Sequence, residues 1–125
     1  VTKAIDTFYP DLTLAVASSS HEKEVRAILQ HHGLLEKMSA ILCGDMVKNK
    51  KPDPEIYLKT SEQLGITPSS CMAFEDSCHG VNAAKSAGMV AVAVPNSFTT
   101  EHDFSRADKT ISSFKEVHLQ LIQEF

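Results

Sequence analysis

Cys71-Met-Ala-Phe-Glu-Asp-Ser77, a helical stretch from Ser77 to Ala87, Gly88-Met89 and then Val90-Ala-Val-Ala-Val94 read together as strand, helix, strand. The two apolar runs are short and continuous, the pattern of strands covered on both faces. Gly88 offers a left-handed helix stop. Two strands joined by a helix of this length lie parallel, with a right-handed crossover. The alternation continues upstream. Leu12 to Ala17 is an apolar run ending at Ser18-Ser-Ser20. Glu22 to His32 carries Val25, Ile28 and Leu29 on one helical face and stops at Gly33-Leu34. Ser39 to Cys43 is a weaker strand. Asp53 is a natural N-cap before Pro54 at the first helical position, and Ile56 to Leu64 runs to a second stop at Gly65-Ile66. Downstream, Thr110-Ile111 and Phe114 to Ile122 supply a last short strand and helix. At the front, Val1, Ile5 and Phe8 share one face of a helix with no N-cap before it, so the chain is expected to start inside an element. The pattern predicts an α/β fold with a parallel sheet covered on both faces, and ligands gathering at the carboxyl ends of its strands.

With 125 residues, 42% hydrophobic and 22% charged, the chain can bury the core of one ordinary domain. A formal net charge of -4 provides no electrostatic footprint for nucleic acid or an anionic membrane. Cys43, Cys71 and Cys78 form no CxxC and leave an odd one over, which suits reduced thiols and a cytoplasmic location. No apolar run approaches a membrane span.

Three loops at strand ends carry the chemistry. Ser18, Ser19 and Ser20 open a helix with hydroxyls and free backbone N–H groups, an anion site or simply an N-cap. Lys51 can neutralise a phosphoryl group or hold a carboxylate ionised; otherwise it is a solvated loop lysine, as Lys48 and Lys50 are read to be. Glu75 and Asp76 are hard oxygen donors of the kind Mg²⁺ takes beside water and phosphate, or else charges capping the next helix, with Asp76 or Ser77 as the N-cap. His21, His79 and the pair His31-His32 have no partners at zinc-ligand spacing and are read as surface or cap residues.

Leu14-Ala-Val-Ala-Ser-Ser-Ser20, Lys51-Pro-Asp-Pro-Glu-Ile-Tyr57, and Ala73-Phe-Glu-Asp-Ser77 with Gly80-Val-Asn-Ala-Ala-Lys-Ser-Ala-Gly-Met89 resemble motifs II, III and IV of the haloacid dehalogenase superfamily. Within it the chain is most similar to the β-phosphoglucomutase-like sugar-phosphate phosphatases and phosphomutases. The resemblance extends from about Leu12 to Ser113. It implies a Rossmann-like core and an aspartate that is phosphorylated by substrate and then passes the phosphoryl group to water or a second hydroxyl. By the same resemblance, Ser18 binds the transferring group, Lys51 stabilises its charge, Glu75 and Asp76 help to hold Mg²⁺ directly or through water with Asp76 the firmer ligand, and Ser19, Ser20 and His21 border a small phosphorylated metabolite.

One part of the family pattern is not found. Motif I, Asp-x-Asp-Gly-Thr on the first strand, and the helical cap that selects substrate would both precede this stretch. Asp6 and Asp45 are the nearest aspartates by eye, and neither is assigned the role. The resemblance puts the motif I strand at the centre of the sheet, between the strands ending at Ser18 and Glu75. Without it two apolar strands have open edges. These residues are therefore expected to form a partial catalytic core, inactive as an isolated chain. That core is completed by an N-terminal segment supplied separately, or it self-associates at the open sheet. The alternative is a non-catalytic fragment of this fold, or a binding module.

Overall fold

The computed structural model describes Ile5, Phe8, Tyr9, residues 11–117 and residues 119–124. Val1 and Asp6 lie outside the described residues. Ile5 and Phe8 both have helical backbone, with the Tyr9 N–H donating to the Ile5 carbonyl at 2.9 Å.

The strands are β1 (Ala15–Ala17), β2 (Ala40–Leu42), β3 (Met72–Glu75), β4 (Val90–Ala93) and β5 (Lys109–Thr110). The helices are α1 (Glu22–His31), α2 (Glu55–Leu64), α3 (Cys78–Ser86) and α4 (Leu119–Gln123). Every strand pairing is parallel, as the alternation predicts: Val16 sits beside Ile41, Phe74 beside Val92 and Ala93 beside Thr110. The pairings form two sheets, β1-β2 and β3-β4-β5. Among the described residues nothing pairs β1 with β3, the two strands between which the resemblance puts a further strand.

Side-chain packing joins what backbone pairing does not. One apolar cluster takes Ala40 and Leu42 from β2, Ile56 and Tyr57 from α2, Ala73 from β3, Val81, Ala83 and Ala84 from α3, and Ala91 and Ala93 from β4. Alanines with no exposed surface at 83, 84, 91 and 93 let α3 lie close on β4. Ile56 is among the largest fully buried side chains, and burying a residue of its size contributes about 1.5–3 kcal/mol. A second cluster, Val25, Leu29, Leu34, Ile41 and Cys43, seats α1 on β2. All three cysteines are free thiols.

The glycine stops occur where expected, with positive φ at Gly33 (68°), Gly65 (69°) and Gly88 (90°). Other boundaries differ. The first strand has three residues because Leu12 still donates to the Phe8 carbonyl in a helical bond, and extended pairing starts only where the Leu14 carbonyl accepts from Ser39. Ile28 is 60% exposed, since Val25 and Leu29 alone face the second cluster. The helix after Pro54 is assigned from Glu55, with Asp53 Oδ1 accepting the Glu55 N–H at 2.9 Å, so Asp53 still satisfies a first-turn donor. The last helix is broken. Phe114–Glu116 is a single 3-10 turn closed by a capping box between Ser113 and Glu116, and α4 starts at Leu119.

Asp108 fastens the end of the molecule away from the strand carboxyl ends. It accepts the Ala91 N–H at 2.8 Å and the Lys85 ammonium at 2.9 Å, and these bonds hold its carboxyl below the ordinary range. A depressed carboxylate contributes stability above its ordinary pKa and loses it as pH falls through the folded value. We therefore expect Asp108 to supply stability that is lost on acidification below the ordinary carboxylate range. Asp108→Asn keeps an acceptor but cannot titrate. Urea melts of both forms at neutral and acid pH should differ in slope with pH, and parallel losses would count against this role.

Candidate functional site

The carboxyl ends of β1 and β3 open onto a cavity of about 480 Å³. Ser18, Ser19 and Ser20 line one side, Glu75, Asp76 and Ser77 the other, and Lys51 reaches in from the loop before α2. The three sequence motifs thus converge on one space. Phe74, Val94 and Phe114 give it an apolar flank.

Each loop is held by its own local chemistry. The Ser18 N–H continues the β1-β2 ladder by donating to the Leu42 carbonyl at 2.9 Å, and the Ser20 N–H turns back onto Ser18 Oγ at 3.1 Å. A hydroxyl oxygen that accepts in this way keeps its proton for an anion. Gly44 backs the loop. Its N–H donates to the Ser20 carbonyl at 2.9 Å, and a Cβ on it would run into the Ser19 carbonyl, whose carbon is 2.9 Å from that position. Asp45 Oδ1 accepts the Glu22 N–H at 3.1 Å, doing at the start of α1 what a serine N-cap would do.

Lys51 is fixed on two sides. Its ammonium donates to the Ala17 carbonyl at 3.0 Å and to Glu75 Oε1 at 2.6 Å, and both side chains of the ion pair are about nine-tenths buried. An ammonium has three donors, so one is left for the cavity. Glu55 steadies the loop from behind. Its carboxyl accepts the N–H groups of Lys48 and Asn49 at 2.9 and 3.0 Å, and those bonds lower its pKa to about 2. The Lys51–Pro52 peptide is cis.

At the β3 end the two carboxylates are in different surroundings. Glu75 Oε1 accepts from both Lys51 and the Tyr57 hydroxyl. Asp76 is exposed, and its Oδ2 accepts from the Asn96 amide at 3.0 Å. The N-cap of α3 is Ser77, whose hydroxyl accepts the Gly80 N–H at 3.1 Å. Asp76 is thereby free of capping. Of the histidines weighed, His21 lies 3.8 Å from Asp45 and His31 stacks edge-on against His32. Among the described residues no three His, Cys, Asp or Glu side chains cluster as a metal cage.

The haloacid dehalogenase-like hydrolase family matches residues 3–94. The chain belongs to that family. YhcW of Bacillus subtilis is 41% identical over 111 residues, 89% of this chain and 50% of YhcW. CbbY of Rhodobacter sphaeroides, solved as a variant in complex with xylulose-1,5-bisphosphate, is 34% identical with a TM-score of 0.85, covering 91% of this chain and 52% of that one. A β-phosphoglucomutase of Clostridium difficile is 30% identical with a TM-score of 0.82, over 97% of this chain and 52% of its own. The chain spans about half the length of these haloacid dehalogenase-like relatives.

Four residues of this haloacid dehalogenase-like core were not legible as site residues in the sequence: Tyr57, Asn96, Gly44 and Gly80. Tyr57 counts as one more apolar position of α2. Asn96 sits 20 residues from the carboxylate it contacts. The glycines carry the only usable signal, because Gly44 stands just after β2 and Gly80 in the first turn of α3, where close approach to the site calls for glycine.

Proposed function

We propose that this chain is the phosphoryl-binding part of a Mg²⁺-dependent phosphatase or phosphomutase acting on a small phosphorylated metabolite, a sugar phosphate. Lys51 carries the reading. It is a buried ammonium fixed through two donors, with a third facing a cavity walled by serine hydroxyls and an exposed carboxylate. An anion with several oxygens is what such a wall fits.

The Ser18 hydroxyl donates to one phosphoryl oxygen, Ser19 supplies a further donor from the same loop, and Lys51 neutralises charge that develops as the ester bond breaks. Ser20 and His21 border the leaving metabolite. The donor set suits Mg²⁺, which takes one or two carboxylates and fills its remaining positions with water and phosphate oxygens. Asp76 would hold it through Oδ1, with Glu75 assisting through Oε2 or a water. Bound there, the ion would supply charge neutralisation for the transferring group.

The nucleophile we assign to an aspartate outside these residues. Among the described residues the carboxylates lining the cavity are Glu75, bound by Lys51 and Tyr57, and Asp76, bound by Asn96. Asp45 caps α1 instead. Attack by that aspartate on phosphorus breaks the ester bond, the electron pair leaves on the sugar oxygen, which takes a proton, and water or a second hydroxyl then attacks the acyl phosphate. The sugar-phosphate class is supported by the bisphosphate bound to CbbY and by the mutase relative.

Asp76→Asn tests the metal assignment. Asparagine can still accept from Asn96, so folding should be unchanged, while turnover of the full-length protein should fall about 10- to 100-fold and the Mg²⁺ concentration for half-activity should rise. Steady-state rates across a Mg²⁺ titration decide. Unchanged turnover with an unchanged Mg²⁺ requirement would remove Asp76 from the metal site.

A further inference from the structure

We propose that Tyr57 is a positioning residue for Lys51, acting through Glu75, so that the phenol hydroxyl sets where the phosphoryl-binding ammonium stands. The inference rests on the phosphoryl-binding reading above.

Tyr57 touches both members of the ion pair. Its hydroxyl donates to Glu75 Oε1, the same atom that accepts from Lys51 Nζ. Its ring faces the Lys51 ammonium at 5.2 Å from the centroid, within range of a cation–π contact. The residue is 6% exposed and belongs to the cluster that packs α2 against β2 and α3, so the ring has little freedom to move. A carboxylate oxygen only accepts, so the phenol hydroxyl is the donor in this contact.

Glu75 is closed in from the other side as well. Its carboxyl lies over the Cα of Gly80, where a Cβ would collide with it, Oε1 being 2.8 Å from that position. Tyr57, Lys51 and Gly80 thus leave the carboxylate one orientation. Lys51 in turn has two fixed acceptors, the Ala17 carbonyl and Glu75 Oε1, and only while both hold does its third donor face the cavity. Removing the phenol hydroxyl leaves Glu75 Oε1 with Lys51 alone, and the pair can then swing together. The segment Lys51 to Tyr57 therefore carries both the cation and the group that aims it.

The test uses the full-length protein with Tyr57→Phe, Glu75→Gln and the double variant. Three quantities are read: kcat/KM on a sugar phosphate, the affinity for inorganic phosphate by calorimetry, and the melting temperature. Phenylalanine keeps the ring and its packing, so melting should change by only a few degrees. Phosphate affinity and kcat/KM should each fall about ten- to a hundredfold, the scale of one hydrogen bond to a charged group. In the double variant Tyr57→Phe should add almost nothing to the loss from Glu75→Gln, because both act through one contact. Phosphate affinity within twofold of the unaltered protein, or losses that add in full, would overturn the proposal. Should Tyr57→Phe fail to fold, Glu75→Asp, which draws the carboxylate back from the hydroxyl, carries the same expectation for phosphate affinity. A protein that binds phosphate but does not turn over would defeat the phosphoryl-transfer reading alone, with the phosphate affinities still deciding the role of Tyr57. A protein that binds no phosphate at all would overturn both.

Discussion

Lys51→Met should lower kcat of the full-length protein by about 10²–10³-fold, the range found when one preorganised donor to a developing charge is removed. Methionine matches the length of the stem and fills the space, so the loss reads the charge. The same change should also be felt in stability. Glu75 is nine-tenths buried and Lys51 is its cationic partner, and removing one member of a buried pair typically costs about 3–5 kcal/mol because the other stays behind unpaired. The Tyr57 hydroxyl still donates to Glu75, which puts the expectation at the lower end of that range. Adding Glu75→Gln should return part of the stability and none of the turnover. Urea unfolding with steady-state kinetics on the two variants separates the effects. A Lys51→Met protein with turnover within tenfold of the original would show that the cavity's anion is neutralised elsewhere.

Gly44→Ala should be the most damaging single methyl group. The atoms in its way are backbone, the carbonyl of Ser19, and backbone cannot rotate aside as a side chain can. Either the 44–46 turn or the serine loop must move, at a cost of about 1–3 kcal/mol for overpacking. Because the Gly44 N–H also holds the Ser20 carbonyl, the movement falls on the loop that receives the phosphoryl group. Phosphate affinity should drop about tenfold or more, roughly one hydrogen bond to a charged group. Gly33→Ala is the control. Its φ of 68° makes alanine strained there, but no atom stands within 4 Å of the new Cβ. It should cost about 1 kcal/mol of stability and leave phosphate affinity alone. Equal effects on phosphate from the two variants would mean that Gly44 has no special relation to the site.

The fold was readable wherever one local rule governed. Val90 to Val94 could only be a buried strand, and Gly33, Gly65 and Gly88 could only end helices. Rules that depend on a neighbour failed. Ile28 satisfies the apolar period of α1, yet among the described residues no element covers that side of the helix. Phe114 to Ile122 has the period of one helix, but the Ser113–Glu116 capping box closes its first turn as a separate unit. At the site, position at strand ends singled out Ser18, Lys51 and Asp76 as candidates, since all follow a strand or precede a helix, and their roles came from the family resemblance. The resemblance makes Asp76 the firmer metal ligand, but the residues alone could not supply the contacts that set Glu75 and Asp76 apart. Adjacent and chemically alike, they part only in three dimensions, where alternation along β3 turns one toward Lys51 and Tyr57 and the strand's end turns the other toward Asn96.

The lysine that links Ala17 to Glu75 joins two sheets that share no strand pairing among the described residues. It is therefore a ruler as well as a charge: the reach of one aliphatic stem sets how far apart two strand ends stand. Arginine in its place would keep the charge and change the measure, because a planar guanidinium cannot direct two donors to these acceptors at the same spacing and leave a third pointing along the axis. Tolerance to exchange at position 51 would thus be governed by length and shape as well as by sign.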